Sequence, residues 1–209
     1  GTAEDPGGEM TRDEAIARLT GPGEAYELIE RDVLGRRCRV FRNAPDSLRA
    51  LFEATASDAP FLVFEAERLT FAEAWTQARR VAAWLACEAG IARGDRVAIA
   101  MRNYPEWMIA FQAITALGAV AVALNGLWTP QELAFGVADS GARVLIADPD
   151  RIRRWEEAGG GPEVQVVGVR LGGAPPPGVT PWEAIAARAD RPRDLPEPPQ
   201  ADDDATILY

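Results

Sequence analysis

Three polar side chains, Asn103, Asn125 and Asp148, each fall at the carboxyl end of a short apolar run, and Tyr209 ends a fourth. In an open parallel sheet, ligands bind outside the carboxyl ends of the strands, so two amides, a carboxylate and a phenol at these points could orient a substrate by hydrogen bonds. Trp128, like Trp107, could line an apolar pocket beside them. Each residue also has a plainer reading: Asn and Asp end strands and open turns, and Trp packs helices onto sheets. Asn103, Asn125, Trp128, Asp148 and Tyr209 are therefore candidates for the rim of a cleft. No residue is assigned a catalytic, cofactor-binding or metal-ligating role.

What the composition lacks narrows the chemistry further. The 209 residues include no His, and all 22 cationic side chains are Arg. That removes imidazole bases, His-paired nucleophiles, His-ligated metals and Lys chemistry together. There is no Gly-x-Gly-x-x-Gly after an apolar strand, no Walker loop and no Cys/His cluster. A formal net charge of -10 argues against a nucleic-acid partner, which would require a basic face. Cys38 and Cys87 lack any pairing or zinc spacing and read as free thiols of a reduced compartment. No run approaches the roughly 20 apolar residues of a transmembrane helix, and no leader pattern is visible, so the cytoplasm is the expected location.

The elements that must position the candidates follow from periodicity. Arg96 to Met101, Ala119 to Leu124 and Arg143 to Ala147 are apolar without alternation, as strands buried on both faces are. Helical segments separate them, so the fold class is α/β, a mainly parallel sheet with helices on both faces. Thr70-Phe71-Ala72-Glu73 and Thr129-Pro130-Gln131-Glu132 are capping boxes that start helices, and Thr180-Pro181-Trp182-Glu183 repeats the pattern for a short helix to Arg188. Pro105 suits the first position of another helix, which Gly118 ends. A fourth strand is expected around Val164 to Val169. Before this core, Thr11 to Leu19 reads as a short helix, and Tyr26 to Arg31 and Arg37 to Arg42 as extended segments bending at Leu34-Gly35. The arginines there read better as charge guarding an edge strand than as an anion site.

The domain plan is then a disordered leader or appended remnant over 1–10, an N-terminal extended or hairpin extension over 11–60, an α/β subdomain over 61–190, a Pro-rich acidic linker over 191–204 and a strand over 205–209. Ala205-Thr206-Ile207-Leu208-Tyr209 is apolar and β-prone, and a chain terminus at a buried strand is unfavourable. The natural protein is expected to continue.

The ordered series from Leu69 resembles the N-terminal part of the adenylate-forming (AMP-binding) acyl-CoA synthetases. Leu69-Thr70-Phe71-Ala72-Glu73-Ala74 is similar to the family's first core motif, and Ala116-Leu117-Gly118-Ala119-Val120-Ala121-Val122-Ala123-Leu124-Asn125 to its second. Arg96 to Asn103 with Pro105-Glu106-Trp107, Thr129 to Leu133 and Asp139 to Asp148 continue the match in order, and Asp204 to Tyr209 resembles the strand leading into the family's phosphate loop. The run from Asn125 to Leu133 is more similar to fatty or aromatic acyl-CoA ligases than to amino-acid adenylation domains.

This resemblance implies an ATP-dependent carboxylic acid-CoA ligase that forms an acyl-adenylate and then the acyl-CoA. It implies ATP, Mg and CoA for the full-length parent and a small-molecule carboxylic acid as its substrate. The family's phosphate loop, Mg-binding Glu, ribose-binding Asp and catalytic Lys match no position here, so the fragment is expected to hold no cofactor and to be inert alone. Its partner would be the remainder of its own chain, and a homodimer is compatible. The alternative is a non-catalytic α/β binding or interaction module on the same scaffold. A dinucleotide-binding or receiver-type domain is disfavoured by the missing glycine fingerprint and the missing acidic cluster with Lys.

Overall fold

The structure, a computed structural model, describes residues 10–187 and 194–209. Residues 1–9 of the leader expected over 1–10, the extension of the short helix to Arg188 and the first residues of the linker, 191–193, lie outside the described residues. The chain divides into two compact units, between Pro45 and Asp46.

The first unit holds helix α1 (Arg12–Thr20) and an antiparallel hairpin of β1 (Leu28–Val33) and β2 (Arg36–Phe41). Thr11 caps α1 through a reciprocal bond set with Glu14. Leu34 and Gly35 both have positive φ, 50° and 77°, as a two-residue hairpin turn requires. The β2 arginines face the carboxylates of β1: Glu30 pairs across the ladder with Arg39 and holds Arg37 at 2.8 Å. The hairpin strands keep a positive excess, four arginines to two carboxylates.

The second unit begins with α2 (Leu48–Thr55) and the hairpin β3 (Pro60–Phe64) and β4 (Glu67–Thr70). It continues through α3 (Phe71–Cys87), β5 (Arg96–Ala100), α4 (Pro105–Ala116), β6 (Val120–Ala123), α5 (Pro130–Ser140), β7 (Ala142–Ala147) and α6 (Pro149–Glu157). It closes with β8 (Gln165–Gly168), β9 (Val179–Pro181), α7 (Trp182–Ala186) and β10 (Thr206–Leu208). The unit boundary falls inside the extension drawn over 11–60, because α2 packs with the sheet unit, its Phe52 ring 5.8 Å from Trp75.

The sheet is parallel, with six strands in the order β10-β6-β5-β7-β8-β9. Its continuous apolar runs follow from burial of both faces. Val97 and Ile99 of β5, with Val144 and Ile146 of β7, join one core with Trp75, Leu85, Ile109 and Ile114 of α3 and α4. Their alternates Ala98, Ala100, Leu145 and Ala147 join a second core with Leu133, Val137, Ile152 and Trp155 of α5 and α6. This is the period-2 alternation of a strand serving two helical layers.

Two expectations are corrected here. Thr180 makes no capping box: it pairs with Val167 in β9, and Pro181 precedes α7 without a side-chain cap. The terminal strand is also not buried. As β10 it forms one edge of the sheet, beside β6, with Ile207 half-buried and Leu208 76% exposed.

Candidate functional site

From β5 the chain moves outward to β6, then returns past β5 to β7 and continues to β8. The reversal puts a switch point between β5 and β7, the position where a crevice opens in sheets of this kind. Here that crevice is bridged. Asp148, at the carboxyl end of β7, is 2% exposed, and its carboxylate accepts hydrogen bonds from the backbone N–H of Arg102 at 3.0 Å and of Arg151 at 3.1 Å. The Arg151 guanidinium completes the shell, 3.1 Å from Oδ2. Asp148 is thus the N-cap of α6, the brace across the switch point and the counter-ion of a buried arginine.

The same arginine fixes the next candidates. Arg151 donates to the carbonyl of Gly126, and Arg154 donates to the Trp128 carbonyl at 2.5 Å and to that of Gly126 at 3.3 Å. Within the loop, Asn125 Oδ1 accepts from the Leu127 N–H at 2.9 Å, closing an Asx turn, and its side chain is exposed. A Cβ on Gly126 would lie 3.0 Å from the Arg151 guanidinium, a tight contact to which the arginine would have to yield.

Trp128 and Tyr209 come together. Their ring centroids are 5.7 Å apart at 70°, an edge-to-face pair, and the Tyr209 hydroxyl donates to Asp139 of α5 at 2.6 Å. That bond to a carboxylate holds the phenol proton and raises the pKa of Tyr209 above its usual 10.0. Behind Trp128 lies Gly136 of α5, where a Cβ would meet Trp128 Cζ3 at 2.6 Å.

Asn103 stands apart from this group. It lies after β5, where α4 begins, and helps line a pocket of about 210 Å³ with Phe64, Tyr104, Trp107 and Met108. The five rim candidates thus form two groups: Asn125, Trp128, Asp148 and Tyr209 tied by Arg151, α5 and α6, and Asn103 on the α4 side.

Three arginines that sequence reasoning passed over do most of the fastening: Arg151, Arg154 and Arg170. Arg170 follows β8 in a left-handed conformation, φ 52°. It binds both oxygens of Glu67, at 2.8 and 2.9 Å, and Glu106 through Nε at 3.0 Å. Its guanidinium lies 4.9 Å from the ring centres of both Phe64 and Tyr104. The bonds to Arg170 hold the Glu67 carboxyl below its usual range. The available signal for Arg151 was its place three residues after an N-capping Asp; Arg170 had none, because its partners are remote in sequence.

Among the described residues, no group of three or more His, Cys, Asp or Glu is arranged to hold a metal ion, and no helix is long and apolar enough to cross a membrane. The free thiols are Cys38, half-buried, and Cys87, exposed.

The model of the AMP-binding enzyme family matches residues 50–209, three-quarters of the chain. The chain belongs to that family. Among its relatives are a long-chain-fatty-acid–CoA ligase of Salmonella typhimurium, 38% identical over 103 residues, and a 2-succinylbenzoate–CoA ligase of Bacillus velezensis, 38% identical over 97. The matches cover 48% and 46% of this chain but only 18% and 20% of the relatives. This AMP-binding chain therefore matches about a fifth of their length. Its fold is that of an anthranilate CoA ligase solved with anthranoyl-AMP (TM-score 0.69, 22% identity, 77% of this chain and 31% of that one). An acyl-CoA synthetase of Brucella canis gives a TM-score of 0.66 at 20% identity, covering 96% of this chain and 34% of that one. The family assignment, the α/β class and the parallel sheet flanked by helices agree with the sequence reading.

Proposed function

We propose that this chain is the N-terminal part of an ATP-dependent carboxylic acid-CoA ligase, in which it supplies one wall of the cleft for the acid and its adenylate. The observation that carries the reading is the family match over 50–209 on a sheet whose carboxyl edge bears Asn103, Asn125, Trp128 and Tyr209. The names of the relatives support a fatty or aromatic acid as substrate. In this reading the wall is passive. Asp148 is committed to Arg151 and two backbone N–H groups and leaves no free carboxylate for chemistry. Asn125 sets the loop, and Trp128 with Tyr209 offers an aromatic surface to what packs there.

ATP, Mg and CoA belong to the proposed parent activity. The residues here do not fit the nucleotide or the ion: among the described residues there is no cluster to ligate a metal, and the sequence holds no Walker-type phosphate loop. The 209-residue chain is accordingly inert alone. Exposed Leu127, Phe135 and Leu208 leave an apolar surface for the remainder of its own chain. A cytoplasmic location and a homodimer of the parent are part of the same proposal.

The test is incubation of the chain with ATP, Mg and a panel of fatty and aromatic acids, scored as acid-dependent pyrophosphate release. No release is expected. Turnover would overturn the claim of inertness, and a gene whose coding sequence continues past codon 209 without a Gly-rich phosphate loop would overturn the ligase reading.

A further inference from the structure

The pocket on the α4 side shares only Asn103 with the wall just described. It is about 210 Å³, larger than the roughly 150 Å³ cavity that suffices for benzene. Val63 and Phe64 of β3 form one side, and Tyr104, Trp107 and Met108 at the start of α4 form the other. Asn103 contributes a neutral amide that can both donate and accept.

Charge decides the class of occupant. Beside it stands the Arg170 clamp, which sets two carboxylates, Glu67 and Glu106, against one guanidinium, while Arg68, the ladder partner of Val63, donates to the carbonyls of Glu65 and Glu67. The clamp's single cation is spent on both acids, so an anionic ligand would gain no counter-charge from it. A cationic ligand gains little, because the outer faces a cation would use on Phe64 and Tyr104 already carry Arg170 at 4.9 Å. Neither carboxylate lines the pocket. A flat, uncharged ring meets apolar and aromatic side chains on both sides, and one polar substituent can reach Asn103.

The geometry points to a binding site for a neutral single-ring aromatic amide between the β3–β4 hairpin and the start of α4, separate from any site for the acid's carboxylate. It stands independently of the ligase proposal, since it needs only this unit. For a ligand of about nine non-hydrogen atoms the dissociation constant should be on the order of 1 mM.

The experiment uses benzamide as the probe and the methionine methyl groups of the 209-residue chain as reporters. The chain has three methionines, Met10, Met101 and Met108, so methyl-labelled Met gives a readable spectrum, assigned with Met108→Leu. Titration with benzamide should move the Met108 methyl through the ring current and leave Met10 in place. Benzoate should bind about tenfold more weakly, and benzylamine no more tightly than benzamide. Val63→Trp, at a position 62% exposed and so tolerant of a larger side chain, should fill the pocket and weaken benzamide about tenfold. The proposal is overturned if Met108 stays still at ten times the expected dissociation constant, or if benzoate or benzylamine binds more tightly than benzamide. Unchanged benzamide affinity in folded Val63→Trp would overturn it too.

Discussion

Replacing Gly136 by Ala sets two effects of opposite sign against each other. Gly136 is interior to α5, where Ala is favoured over Gly by about 1 kcal/mol. The added methyl, however, would stand 2.6 Å from Trp128 Cζ3 and 3.0 Å from Leu124 Cδ2, and overpacking of this kind costs about 1–3 kcal/mol. The clash should win, with Gly136→Ala destabilising the sheet unit by about 1 kcal/mol and displacing Trp128 from Tyr209. Removing the obstacle reverses the sign: in a Trp128→Ala background the same substitution should become neutral or stabilising by up to about 1 kcal/mol, a coupling of about 1–2 kcal/mol. Urea denaturation followed by far-ultraviolet circular dichroism measures all four corners of the cycle without depending on tryptophan emission. A stabilised single Gly136→Ala variant, or a coupling below about 0.5 kcal/mol, would refute the close packing of Trp128 on α5.

Arg170→Met should cost about 2 kcal/mol, adding about 0.5 for the half-exposed Glu67 arm, about 1 for the more buried Glu106 and about 0.5–1 for the two rings. In the same urea assay Glu106→Gln should lose more than Glu67→Gln; the reverse order would discard this account of the clamp. Asp148→Asn keeps a capping acceptor but leaves Arg151, 8% exposed, with only the longer pair to Asp150 at 3.5 Å, for a loss of about 2–3 kcal/mol, most of which Asp148→Asn/Arg151→Met should restore. A pH series supplies a further check. Glu67 and Asp203 have carboxyls depressed below 4.5 and 3.8, through Arg170 and Arg93 respectively. Stability linked to them is present above those values and lost as pH falls through the depressed ones, so wild type should weaken below about pH 4.5 and Arg170→Met should weaken less steeply.

The core strands were readable because burial on two faces leaves an unbroken apolar run, as in Val97 to Ala100 and Val144 to Ala147. Helix starts at Thr70 and Thr129 were readable because a capping box is local chemistry, and both form. The same pattern misled at Thr180, where pairing with Val167 took the residue into a three-residue strand ending in Pro, too short for any periodicity to show. The rim candidates were read from position alone. What position does not reveal is commitment: whether Asp148 faces a ligand or an arginine depends on Arg151 and on the N–H of Arg102, far away in sequence. Arg170, whose partners Glu67 and Glu106 are remote along the chain, shows the same limit.

The edge strand β10 joins β6 only after the chain has run through three other strands of the sheet. Closing so long a loop for a three-residue ladder is entropically costly, and little apolar area is gained when Leu208 stays exposed. This strand should therefore be the last to dock during folding and the first to detach in native-state fluctuations. Amide hydrogen exchange should register that asymmetry: the Ala121 N–H, held by the Ala205 carbonyl at 2.9 Å, should exchange through local opening, while the amides of β5 and β7 wait for global unfolding.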